Sequence, residues 1–182
     1  MNSWSPDGQS LVIMQSHLNL DRLVVADRQR RLGPPLIRSD SSNWNGQVSP
    51  DGRWLAFVSD QSGQSEVYVT TFGSSGPVTQ VSRDGGQAVL WSPSGRMLFY
   101  RRANAIIAVT VISGRSLLTE SPKIVMTGDF LSGGEKVTRP DYGVFPDGSL
   151  LLLKRDVDSA GARSLSVVLN WSDELRELAK SK

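Results

Sequence analysis

The chain has 182 residues, with 20 Lys and Arg against 18 Asp and Glu, one His and no Cys. A chain of this size buries roughly two-thirds of the surface it exposes unfolded, enough for one domain with a real core. The missing cysteines exclude a disulfide scaffold, a thiolate zinc site and thiol catalysis. A net charge of +2, spread along the chain, lacks the concentrated basic stripe that nucleic acid requires. The longest apolar runs are four residues, as at 150–153, against the roughly 20 of a membrane helix. The first eight residues lack the basic start and apolar stretch of a signal sequence.

In chain order, a short strand at 2–4 leads into Trp4-Ser5-Pro6-Asp7-Gly8, and this turn recurs three times. The copies are Val48-Ser49-Pro50-Asp51-Gly52, Trp91-Ser92-Pro93-Ser94-Gly95 and Val144-Phe145-Pro146-Asp147-Gly148. Their prolines stand 44, 43 and 53 residues apart, a unit of about 43 with an insertion in the third copy. Pro presets φ at the first corner, Asp bonds the backbone ahead of it, and Gly accepts the positive φ that closes the hairpin. Three residues beyond each Gly is Leu (Leu11, Leu55, Leu98, Leu151), and five beyond is Ile13, Phe57, Tyr100 or Leu153. One face at period 2 is therefore expected to be apolar in every copy. A second β-rich run follows at 22–27, 66–71, 105–112 and 165–170, with shorter strands predicted at 35–38, 78–82 and 123–127. Strands at 88–91 and 142–145 precede the later turns. Four short antiparallel strands per 43 residues predict an all-β propeller of about four blades, at 1–44, 45–87, 88–138 and 139–171. Ser172, Asp173 and Glu174 followed by Leu175, Leu178, Ala179 and Lys180 predict a short amphipathic helix over 172–182.

The run Ser49-Pro50-Asp51-Gly52-Arg53-Trp54-Leu55-Ala56-Phe57-Val58-Ser59, with Glu66-Val67-Tyr68-Val69 and the close on Trp91-Ser92-Pro93, resembles the TolB-like, WD-type propeller repeat. Val167-Val168-Leu169-Asn170-Trp171 with Glu174-Leu175 resembles the C-terminal end of propellers attached to bacterial serine/threonine kinases. The Gly-rich loop, His-Arg-Asp and Asp-Phe-Gly motifs of a kinase are absent from the sequence. The first resemblance implies rings of six or more blades. Four blades then read as a fragment whose open ends pair with another copy.

The residues nominate a surface rather than a reaction centre. His17 lacks a Gly-x-Ser-x-Gly partner motif, and neither residues 60–64 nor Asp156 and Asp158 form a calcium loop. The chain is read as non-enzymatic, with no cofactor and no metal. The turn residues Pro6, Asp7, Gly8, Pro50, Asp51, Gly52, Pro93, Gly95, Pro146, Asp147 and Gly148 are committed to hairpin closure. Recognition is expected on the opposite rim, at Arg83, Asp84, Arg101, Arg102, Asn104, Arg139 and Asp141, with His17, Asn19, Ser42, Asn43, Gln61, Gln64 and Asp156 around them. Its arginines suit a protein or peptide partner bearing carboxylates. The expected function is the sensory or scaffolding end of a larger bacterial protein, a receptor-type kinase whose propeller is extracytoplasmic. The alternatives are the gating propeller of a prolyl-oligopeptidase-like hydrolase and a free-standing TolB-like periplasmic interaction protein.

Overall fold

The structure, a computed structural model, describes residues 3–74, 76–114, 117–128 and 137–153. The strand expected at 165–170, the terminal helix, Asp156, Asp158 and Trp171 lie outside the described residues. What is described is all-β. Strands β1 (Ser3–Trp4), β2 (Ser10–His17), β3 (Leu20–Asp27) and β4 (Leu32–Pro35) form the first sheet in that order. Strands β5 (Asn43–Val48), β6 (Trp54–Ser59), β7 (Glu66–Thr71) and β8 (Thr79–Gln80) form the second. In the third, β9 (Gln87–Trp91), β10 (Met97–Arg102) and β11 (Ala105–Ser113) are consecutive, and β11 also pairs with β12 (Leu117–Thr119) and β13 (Lys123–Thr127). A hairpin of β14 (Tyr142–Val144) and β15 (Leu150–Leu152) begins the fourth. All pairings are antiparallel, and the sheets stack face to face as an incomplete β-propeller.

Each turn is built the same way in the first three blades. The Gly N–H donates to the carbonyl three residues back, from Gly8 to Ser5, Gly52 to Ser49 and Gly95 to Ser92, each at 2.9 Å. The Ser hydroxyl also enters the hairpin as a rung: Oγ of Ser5, Ser49 and Ser92 accepts from the N–H of Ser10, Trp54 and Met97 at 2.9, 2.9 and 3.0 Å. In return, Ser5 and Ser49 donate to Oδ1 of Asp7 and Asp51 at 2.5 Å, and each carboxylate caps the N–H two residues on. Ser94, replacing Asp in the third copy, holds the Arg96 N–H at only 3.4 Å. Positive φ at Gly8, Gly52, Gly95 and Gly148, between 66° and 87°, completes the corner without a Cβ penalty.

This rung sets the register. Trp4 lies opposite Leu11, Val48 opposite Leu55 and Trp91 opposite Leu98, always seven residues apart. The alternation then sends Leu55, Phe57 and Tyr68 against Val12 and Leu23 of the first blade. Trp54, Ala56, Val58, Val67 and Val69 go the other way, against Leu98, Tyr100, Ile107 and Val109 of the third. Strand β6 is therefore buried along its whole length, and each large side chain so enclosed contributes about 1.5–3 kcal/mol.

The fourth copy overturns the expectation drawn from aligning the repeats. Phe145 has no hydroxyl to offer, and its N–H donates to the carbonyl four residues on, that of Ser149, at 2.9 Å, where Ser5, Ser49 and Ser92 donate to the carbonyl five residues on at 2.8 Å; the loop is one residue shorter. Val144 now faces Leu150, six residues on. A one-residue slip exchanges the two faces of a strand. Leu150 and Leu152, not the aligned Leu151 and Leu153, pack against Phe99, Ile106 and Ala108 of the third blade.

Three strand expectations also shift. The outer strand of the first blade is Leu32–Pro35 rather than 35–38, because Pro34 and Pro35, which donate no N–H, are accommodated on a sheet edge. Strand β8 is confined to Thr79–Gln80, and β12 was not predicted. Ser49→Ala removes a buried rung and leaves the Trp54 N–H without its hydroxyl acceptor; chemical denaturation should show a loss of about 1–3 kcal/mol.

Candidate functional site

On the rim opposite the turns, strands end in tight hairpins that allow left-handed backbone at exposed tips. Leu18 and Asn19 at the β2–β3 tip have φ of 46° and 64°, and Ala103, beside Asn104 at the β10–β11 tip, has 50°. His17 is exposed beside the first of these tips, paired in the ladder with Leu20.

Between the second and third blades the rim is organised by a carboxylate that the sequence reading treated only as part of a strand. Glu66 begins β7, is almost wholly buried, and accepts from the Ser82 hydroxyl, from the Gly85 N–H at 2.9 Å and from Gln64 Nε2 at 2.6 Å. Ser82 Oγ in turn accepts from the Val67 N–H at 2.7 Å. These bonds fold residues 82–86 back over the start of β7. Gly86 fits there because a Cβ would come within 2.6 Å of Ser82 Oγ and 2.9 Å of Val67. The signal was present in the Ser-Arg-Asp-Gly-Gly loop after β8, but a lone Glu at a strand start does not announce a buried anchor.

The result is a cavity of about 390 Å³. Gln64 and Ser65 form one wall, Asp84, Gly85, Gly86 and Gln87 the loop side, and Arg101, Arg102 and Ala103 the wall from the third blade. The predicted rim residues divide here. Asp84, Arg101 and Arg102 come together, whereas Arg83, Asn104 and Arg139 are exposed but do not line the cavity. Arg101 is not a freely solvated rim cation: it is 6% exposed, and its guanidinium pairs with Asp141, tying the third blade to the approach of β14. Arg102 is half-buried and lies 3.6 Å from the exposed carboxylate of Asp84. Of the remaining candidates, Ser42 and Asn43 are buried and structural. Ser42 accepts from the Asp21 N–H at 3.2 Å and donates its own N–H to Asp60 at 2.9 Å, while the Asn43 amide donates to Ser39 Oγ and the Ser41 carbonyl.

Two tyrosines mark the dry side of this region. Burial raises the Tyr100 phenol above its ordinary range, with Arg102 opposing the rise, and pushes Tyr142 well above it. The Tyr142 hydroxyl donates to the Ala88 carbonyl at 2.8 Å, joining the inner strands of the third and fourth blades. Among the described residues there is no group of three His, Cys, Asp or Glu that could hold a metal ion. No described helix is long and apolar enough to cross a membrane.

The stacked sheets, their repeated inner turns and the laced inner strands define a propeller-type scaffold. No family model matches the chain, and a search of curated proteins finds no match. Among solved structures it is similar to TolB from Acinetobacter baumannii, with TM-score 0.62 and 17% identity over 85% of this chain and 37% of that one. It is also similar to a protein assigned as TolB from Agrobacterium tumefaciens (0.58, 22%, 83% and 56%). A third likeness is to a protein assigned as a 6-phosphogluconolactonase from Bacteroides uniformis (0.54, 19%, 91% and 52%). The fold is TolB-like, and at these identities the likeness carries the fold alone. The chain spans between about a third and just over half of the length of these structures.

Two results should follow from the pairings. Asp141→Ala removes the carboxylate paired with the buried Arg101 guanidinium and should lower stability more than Asp84→Ala at the exposed pair, whose cost is at most about 1 kcal/mol; parallel urea titrations compare them. On the opposite rim, the Ser5 hydroxyl and the Gln9 N–H hold Asp7 below the ordinary 3.8, and the Ser149 hydroxyl and N–H do the same for Asp147. A folded value below the unfolded one gives stabilisation that is complete above about pH 4 and is lost as pH falls through the folded value. Carboxyl NMR titration should place both midpoints below 3.8.

Proposed function

We propose that this chain is a non-enzymatic recognition module, and that the cavity between the second and third blades receives a carboxylate-bearing segment of a protein or peptide partner. The observation that carries this reading is the Arg102–Asp84 pair at the cavity mouth. Its separation of 3.6 Å and the high exposure of Asp84 make it the exchangeable pair, whereas Arg101 is already neutralised in the wall. A partner carboxylate replaces Asp84 on Arg102 and gains a charge-assisted bond, and Gln64 and Gln87 supply polar contacts beside it. The Glu66 anchor fixes the loop beforehand, so little ordering is needed on binding.

This reading gives the chain no cofactor and no metal, in keeping with a sole His at an exposed hairpin. Its parent is a longer bacterial protein, a receptor-type serine/threonine kinase whose propeller lies outside the cytoplasm. The resemblance at 167–175 supports that placement. The four repeats at 1–44, 45–87, 88–138 and 139–171 would form the module and 172–182 its terminal helix.

Isothermal titration with a Glu-rich peptide tests the site. Arg102→Glu should weaken binding at least tenfold, the cost of about one charge-assisted bond, while Arg139→Glu changes it little. Equal affinity of the wild type and Arg102→Glu retires the cavity as the binding site.

A further inference from the structure

The charges lining the cavity between the second and third blades are balanced, and the balance restricts what can occupy it. Arg101 adds no net charge, because its buried guanidinium is paired with Asp141 in the wall. Among the described residues that line the cavity, one exchangeable cation and one anion remain. They are Arg102, whose side chain is 35% exposed, and Asp84, 87% exposed and 3.6 Å away.

The neutral groups lean the same way. Successive backbone N–H groups of a glycine-rich loop can cradle an oxyanion, but here both glycines spend theirs inside the protein. The Gly85 N–H donates to Glu66 at 2.9 Å and the Gly86 N–H to the Ser65 carbonyl at 2.8 Å. Gln64 donates Nε2 to Glu66 Oε1 at 2.6 Å, which commits that end of its amide and leaves the carbonyl oxygen as an acceptor for a ligand. One cation therefore stands against two acceptors, the Asp84 carboxylate and the Gln64 oxygen. A ligand carboxylate that takes Arg102 displaces Asp84, and the Gly85 bond to Glu66 keeps Asp84 at the mouth, free to turn only its side chain. A purely acidic segment thus makes one ion pair, breaks one and adds a like-charge contact. A segment whose carboxylate has a cationic neighbour breaks one pair and makes two.

We infer that the cavity selects a partner segment in which an acidic residue has a basic neighbour, and that Asp84 is the specificity-determining residue. The segment's carboxylate pairs with Arg102 and its ammonium or guanidinium with Asp84, within reach of the Gln64 oxygen. This inference rests on the cavity being the binding site proposed above. The net charge of +2 on the chain favours the opposite order, the more acidic ligand first, so the local pairing and the overall field are separable.

Isothermal titration at low salt with two end-blocked hexapeptides, one alternating Glu with Lys and the other Glu with Gln, compares ligands that carry the same carboxylates. The chain should bind the Glu–Lys peptide about fivefold more tightly, the upper range for one exposed ion pair. Asp84→Asn keeps the side-chain shape and should abolish that preference, weakening Glu–Lys and tightening Glu–Gln. Arg102→Gln should weaken both peptides. Wild-type affinity for Glu–Gln equal to or above that for Glu–Lys overturns the inference, as does a preference that survives Asp84→Asn; in either case, weaker binding by Arg102→Gln keeps the cavity as the site. If Arg102→Gln binds both peptides as the wild type does, or if neither peptide binds the wild type, the inference falls together with the reading beneath it.

Discussion

The hydroxyl of the serine that opens each of the first three turns stands in for a backbone carbonyl, accepting the N–H five residues on while the serine's own N–H donates to that residue's carbonyl. That substitution lengthens the loop by one residue and so decides which face of the next strand looks toward the preceding blade. Leu55 and Leu98 are buried between blades because Ser49 and Ser92 hold the longer loop. Leu151 is turned outward because Phe145 does not. A single polar atom per repeat thus fixes the placement of several apolar side chains, each worth more in burial than the bond itself.

The inner strands meet under a second constraint, backbone proximity. Asn45, with φ of 50°, turns its Oδ1 to the Val89 N–H at 2.6 Å, and Ser3 Oγ accepts from the Val48 N–H at 2.8 Å. Between these lies Gly46, where a Cβ would come within 2.9 Å of both Leu23 and Val12. The first two blades approach as closely as they do because that position carries no side chain. The neighbouring turns repeat the theme at the periphery, with Pro6 against Gly52 and Pro50 against Gly95; no equivalent neighbour lies at Gly148, where the register has changed.

Much of this was legible in the sequence. Four turns at near-constant spacing and a two-residue apolar alternation specify stacked antiparallel sheets. The inner strand β5 was harder, because Asn43, Asn45 and Gly46 are residue types that favour turns. It forms since their polar groups bond across to neighbouring loops and blades and the bulge between Trp44 and Gln47 absorbs the positive φ. The rim was legible only as a location. Composition marks Ser42, Asn43 and Arg101 as surface groups, yet each is buried by partners about 20 to 40 residues away or by its own loop. Glu66 escaped notice for the same reason: a carboxylate becomes an anchor only when a hydroxyl and two N–H donors converge on it.

The stack holds the Arg102–Asp84 pair at the mouth of a preformed cavity between its second and third blades. That placement rests on the register that the turns impose. Cross-strand NOEs on the labelled chain test that register most directly. The account predicts Val48 opposite Leu55 and Trp91 opposite Leu98, but Val144 opposite Leu150. Contacts placing Val144 opposite Leu151, with the seven-residue spacing retained beside Phe145, would contradict it.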